Sequence, residues 1–83
     1  MERRIGEVTH YYNHIGVAVL VLTGELNTGD TLHFQGANTD FSQVVDSLEI
    51  EHQKVTSVGA GEEVALKVNQ RVRQGDHVFK VSA

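Results

Sequence analysis

Two short stretches of this chain nearly repeat each other. TGDTLHF runs from Thr28 to Phe34 and QGDHVFK from Gln74 to Lys80, each a Gly-Asp pair followed by alternating apolar positions. A strand places successive side chains on opposite faces, so such alternation marks a half-buried β-strand. The glycine ahead of it reaches positive φ without a Cβ clash, and the aspartate can bond back to nearby backbone. Gly29 and Asp30, and again Gly75 and Asp76, are therefore read as turn residues that launch strands, not as catalytic groups. Their likeness suggests two equivalent corners of one closed sheet.

Strand periodicity extends along most of the chain, and no stretch carries a convincing helix period. Ile5 to Tyr12, Ile15 to Leu22, Leu32 with Phe34, Phe41 to Ile50, Val64 to Val68 and Val78 to Val81 read as strands. Between them lie YNHIG, TGELNTGD, QGANTD, SVGAGEE and RQGD, all carrying Gly, Asn or Asp as turns require. IGVAVLVL, from Ile15 to Leu22, is apolar on both faces. The inward phase slips between Val45 and Leu48, which predicts a bulge or sharp coil near Ser47. Closure would remove exposed edges, so the expectation is an all-β domain over 1–83: a six-stranded antiparallel closed β-barrel.

Composition narrows function. At 83 residues there is room for one domain with a small core. No cysteine is present, so disulfides and thiolate chemistry are excluded and a cytoplasmic location is expected. The longest apolar run, Val17 to Leu22, is far below the roughly 20 residues that span a bilayer. A formal charge of −4 disfavours nucleic-acid binding by bulk electrostatics.

The pattern resembles the second domain of the translational GTPases, the elongation factor Tu domain 2 type. The resemblance rests on Gly6 and Val8, on Leu26 to Gly36, on TDF-x-Q from Thr39 and on Val72 to Val81. It implies the six-stranded barrel and a translation-associated binding module that contacts RNA, the ribosome or a translation factor. Glu49, in SLEIEH, matches a glutamate that the family places near the transfer-RNA end, while His52 stands where the family has arginine. An imidazole does not replace a guanidinium's fixed charge and planar donors. Glu49 and Glu51 can equally be solvated residues alternating with Leu48 and Ile50. No GxxxxGK[ST] loop is present, so GTP binding is not expected.

The basic residues gather as Arg3 and Arg4 before the first strand and Arg71 and Arg73 before the last. Closure would bring these pairs together into a phosphate- or protein-binding patch, with Tyr11 and Tyr12 available to stack on bases. The same arginines can instead be solvated or paired with Glu2, Glu7 and Glu62. An alternative function is a protein-interaction or assembly barrel acting in trans on a larger partner without RNA contact. It would use QGANTDF and the neighbouring strand, with Thr39, Asp40 and Gln43 as contacts.

Catalytic chemistry finds no motif. The five histidines are scattered, and although His10 and His14 flank one turn, a catalytic zinc needs about three protein ligands. No GxSxG elbow presents a serine. Glu62 and Glu63 are adjacent, hence on opposite strand faces, and GAGEE lacks the spacing of a dinucleotide fingerprint. No cofactor and no enzymatic activity are expected.

Overall fold

A computed structural model describes residues Met1–Ser82 and shows both Gly-Asp turns atom by atom. In the first, Asp30 N donates to Asn27 O at 3.1 Å, and Asp30 Oδ2 accepts from Asn27 N at 2.8 Å. In the second, Asp76 N donates to Arg73 O at 3.0 Å, and Asp76 Oδ2 accepts from Arg73 N at 2.8 Å. Gly29 and Gly75 have φ of 91° and 93°. A glycine with positive φ at the third position is what a type II turn requires.

The strands that follow, β4 (Thr31–Gly36) and β10 (His77–Val81), pair antiparallel with each other, from Thr31↔Val81 to Gln35↔His77. The two turns therefore stand at opposite ends of one ladder. Lys80 reaches across it to Asp30 at 3.4 Å.

The remaining strands are β1 (Glu2–Tyr12), β2 (Val17–Leu22), β3 (Leu26–Asn27), β5 (Thr39–Val44), β6 (Leu48–Ile50), β7 (Gln53–Val55), β8 (Ser57–Val58) and β9 (Glu63–Lys67). The main sheet runs β5-β4-β10-β1-β2-β9-β6-β7, and β3 pairs separately with β8. Every strand pair is antiparallel. β1 holds the sheet together because it shifts register twice, between Arg4 and Gly6 and between Val8 and His10. Bulges of this kind increase local twist, so one long strand can serve β10 with its first half and β2 with its second.

Inward-facing Ile5, Val8, Leu20, Leu22, Leu32, Phe34, Leu48 and Val78 are all essentially buried. Phe34 and Phe41 stack with ring centroids 5.0 Å apart, an offset contact favourable beyond the area it buries. Chain between β5 and β6 breaks over 45–47, and Val45 at the break is 1% exposed. That break lets a single stretch of sequence change sheet edge while keeping its apolar residues inward.

The expected class holds: the domain is all-β with antiparallel sheets and no helix among the described residues. The expected six-stranded closed barrel does not. Among the described residues there are ten strands, and the main ladder is open, ending at β5 and β7 with no pairing between them. The β6–β7 hairpin accounts for part of the difference. Its turn, Glu51 and His52, has φ of 50° and 66°, a conformation that composition did not announce because neither residue is glycine. Among the described residues no helix is long and apolar enough to cross a membrane.

Candidate functional site

The strand apolar on both faces positions the main surface feature. Ala18, Leu20 and Leu22 of β2 point into the core, leaving Val17, Val19 and Val21 on the outer face. β9 continues that face with Ala65, which pairs with Val19. β6 meets β9 at a single paired position, Glu49↔Ala65, which is where the β6–β7 hairpin joins the sheet. The space between hairpin and sheet is a groove of about 720 Å³ floored by Val17, Val19 and Ala65. Tyr12 and Ile15 wall one side and Ile50 the other. Tyr12 is 48% and Ile15 61% exposed, and the Tyr12 ring also packs on His10 with centroids 4.5 Å apart.

The ionisable side chains that line this floor are mostly acidic, with Lys67 cross-strand from Val17 and Lys54 cross-strand from Glu49 on the same face. Glu49 and Glu51 come from the hairpin side and Glu62 and Glu63 from the start of β9, while His52 is the only basic side chain in the lining. Glu62 Oε2 accepts a hydrogen bond from Gly59 N at 2.8 Å, which fixes the loop before β9. The hairpin turn that presents Glu51 and His52 holds both in the left-handed region. For residues with a Cβ that conformation costs about 1–3 kcal/mol each and is concentrated at functional sites.

A second, shallower cleft of about 600 Å³ lies between the 45–47 break and β7–β8, lined by Asp46, Ser47, Lys54 and Ser57 among others. It brings together hydroxyls, one carboxylate and one ammonium without a matching apolar floor.

Elsewhere, His33 is clamped between two carboxylates. Nδ1 lies 2.7 Å from Glu2 Oε1 and Nε2 lies 2.6 Å from Asp40 Oδ1. Only the imidazolium donates from both nitrogens, so the arrangement suits the charged ring. The hydrogen bond to Glu2, and after it the one to Asp40, raises the His33 pKa above the ordinary imidazole value. The clamp ties the start of β1 to β4 and β5.

The residues singled out in the sequence fall into distinct places. Glu49 and His52 both line the groove. Asp40 belongs to the His33 clamp. Thr39 is buried and donates its hydroxyl to Asp76 Oδ2, so it braces the second Gly-Asp turn. Gln43 is 8% exposed; its Nε2 donates to Lys67 O at 3.0 Å and its Oε1 accepts from Asn69 N at 2.7 Å. Neither Thr39 nor Gln43 presents its polar group to a partner, which corrects their reading as contact residues. Both are polar because buried backbone or carboxylate needs them.

The arginine pairs are anchored at different points along β1. Arg3 and Arg4 lie opposite Lys80 and Phe79, whereas the chain near Arg73 meets Val8, through Gly75 N to Val8 O at 2.8 Å. Four residues of extended strand, about 13 Å, separate Arg4 from Val8. Arg4 instead pairs with Glu7 at 3.2 Å. Tyr11 and Tyr12 point to opposite faces, Tyr11 packing on the core and Tyr12 on the groove, so they form no common stacking platform. No cluster of three or more metal-ligating side chains occurs among the described residues.

Comparison with models of protein families gives no match. In sequence the chain is similar to an uncharacterized protease of Methanocaldococcus jannaschii, 38% identical over 76 residues that make up 90% of this chain and 19% of that protein. It is also similar to a collagenase of Porphyromonas gingivalis, 28% identical over 78 residues, 92% of this chain and 22% of the collagenase. The chain thus spans about a fifth of the length of these curated relatives. In structure it matches the C-terminal domain of a Geobacillus thermoleovorans protein assigned to the U32 peptidases, with TM-score 0.89, 21% identity and coverage of 94% of this chain and 91% of that domain. The fold is the one seen in that domain.

These findings overturn the resemblance to the translational GTPases, and with it the expected translation module and RNA contact. They also overturn the expectation of no enzymatic activity as a guide to the chain's kind, since the relatives by sequence are named as a protease and collagenases. The in-trans assembly barrel gains no support. The stretches that carried the resemblance, Leu26 to Gly36 and Val72 to Val81, contain the two turn-and-strand units. Such units specify a backbone path, and one path can serve unrelated functions.

Proposed function

We propose that the chain serves polypeptide hydrolysis of the U32 type, as a small β-domain that holds polypeptide substrate in the groove beside β2. The observation that carries this reading is 38% identity to a protease along 90% of the chain. The groove supplies the physical means. Its volume lies within the roughly 300–1,000 Å³ typical of ligand sites, and Tyr12 and Ile15 expose apolar surface to it. In this reading the bond-breaking groups lie in the remaining four-fifths that such proteases possess. Substrate held by the β-domain raises the local concentration of polypeptide near those groups.

Binding of fluorescently labelled, heat-denatured gelatin to the 83-residue chain tests the proposal. The expected result is saturable binding that weakens when Tyr12 and Ile15 are both replaced by serine. Both residues are exposed, so the variant should keep its fold. Absence of binding to gelatin and to unfolded casein alike would contradict the proposal.

A further inference from the structure

We infer that the groove selects a basic segment of polypeptide, one whose apolar side chains are flanked by lysine or arginine; this rests on the substrate-holding role proposed above and specifies its substrate class. The inference stands on two features of the same surface. First, the floor and walls are apolar: Val17, Val19 and Ala65 beneath, Tyr12 and Ile15 beside. Second, the rim is acidic where β6 and β9 adjoin, with Glu49 and Glu51 on the hairpin and Glu62 and Glu63 where β9 begins. Among the described residues none of these four carboxylates takes part in an ion pair. The pairs that form, Arg4 with Glu7, His33 with Glu2 and Asp40, and Lys80 with Asp30, are elsewhere.

Charge complementarity decides the occupant. Apolar side chains of an extended segment would cover the floor while flanking cations meet the acidic border of β6 and β9. A nucleic acid or an acidic peptide would bring further negative charge to four carboxylates on a chain whose formal charge is already −4. The same repulsion disfavours a second copy of this chain. Rim charges are solvated and each contributes little alone, so selectivity comes from several acting together.

Short peptides sharing one apolar core and flanked at both ends by lysine, serine or glutamate test this, with binding followed by fluorescence anisotropy. At low salt the lysine-flanked peptide should bind about tenfold tighter than the serine-flanked one, and the glutamate-flanked peptide more weakly still. The preference should shrink as salt rises. The double variant Glu49→Gln with Glu63→Gln should remove most of the preference while leaving thermal stability unchanged. Equal binding of lysine- and glutamate-flanked peptides would overturn the inference and leave the substrate-holding role standing, whereas failure of every peptide and of gelatin would overturn both. A concentration-dependent dimer that is abolished by Ile15→Ser would also overturn it, because a second copy would then occupy the groove.

Discussion

Replacing Gln43 by alanine removes a side chain that does the work of a strand pairing. Its amide spans from β5 to the end of β9, donating to Lys67 O at 3.0 Å and accepting from Asn69 N at 2.7 Å. No backbone ladder joins β5 to β9, so this amide fastens the β5 edge to the chain leaving β9. Each such bond contributes about 0.5–1.5 kcal/mol net, and backbone groups left unpaired add a desolvation penalty to the extent that water cannot reach them. The expected loss is therefore about 2–3 kcal/mol. A domain of this size holds about 4–12 kcal/mol in total, so the change should lower the melting temperature by roughly 10–20 °C.

Urea denaturation followed by circular dichroism measures the loss, and amide hydrogen exchange at Asn69 locates it. Gln43→Met separates bonding from packing, since methionine keeps the length and fills the space but makes neither bond. It should cost nearly as much as alanine. A loss below about 0.5 kcal/mol, with Asn69 protection unchanged, would refute the structural role and return Gln43 to consideration as a contact residue.

Gly36→Ala should cost about 2–4 kcal/mol, because the added Cβ would overlap the buried Asp76 carboxylate and force it from Thr39 and the Arg73 amide; thermal melts check it. His33, held charged by Glu2 and Asp40, has a folded pKa above 6.5. Its stabilising contribution is therefore full below the unfolded value and is lost as pH rises through the raised folded value, so the denaturation midpoints of the wild type and His33→Gln should converge on the alkaline side. Replacing Glu51 and His52 by Asn-Gly relieves two left-handed residues with a pair suited to a type I′ turn and should stabilise by about 1–2 kcal/mol. Differential scanning calorimetry would show the melting temperature rising.

The class of the fold was legible because strand periodicity and turn residues are local properties. Alternation at Thr31 to Gly36 and at His77 to Val81 requires strands whatever surrounds them. How the sheet ends was not legible. Ile15 to Leu22 reads as apolar on both faces, and the identical chemistry of the two faces does not tell which is core: Ala18, Leu20 and Leu22 are, while Val17 and Val19 open onto the groove. The hairpin at Glu51 and His52 was hidden for a related reason: positive φ there is imposed by strand pairing rather than announced by glycine.

Polar side chains misled in the opposite direction. Thr39 and Gln43 look like contact residues among apolar neighbours, but burial turns them into internal fasteners. Glu49 and Glu63 look like ordinary solvated positions of alternating strands. Only the third dimension gathers them with Glu51 and Glu62 around one apolar floor, from two separate stretches of chain.

The most direct measurement is to titrate the lysine-flanked peptide into isotope-labelled protein and follow the backbone amides by NMR. The groove account predicts that the largest shifts fall on Val17, Val19, Ala65 and the hairpin from Glu49 to His52. Shifts centred instead on the His33–Asp40 clamp or on the Arg71 to Gly75 turn, or no shifts at saturating peptide, would contradict it.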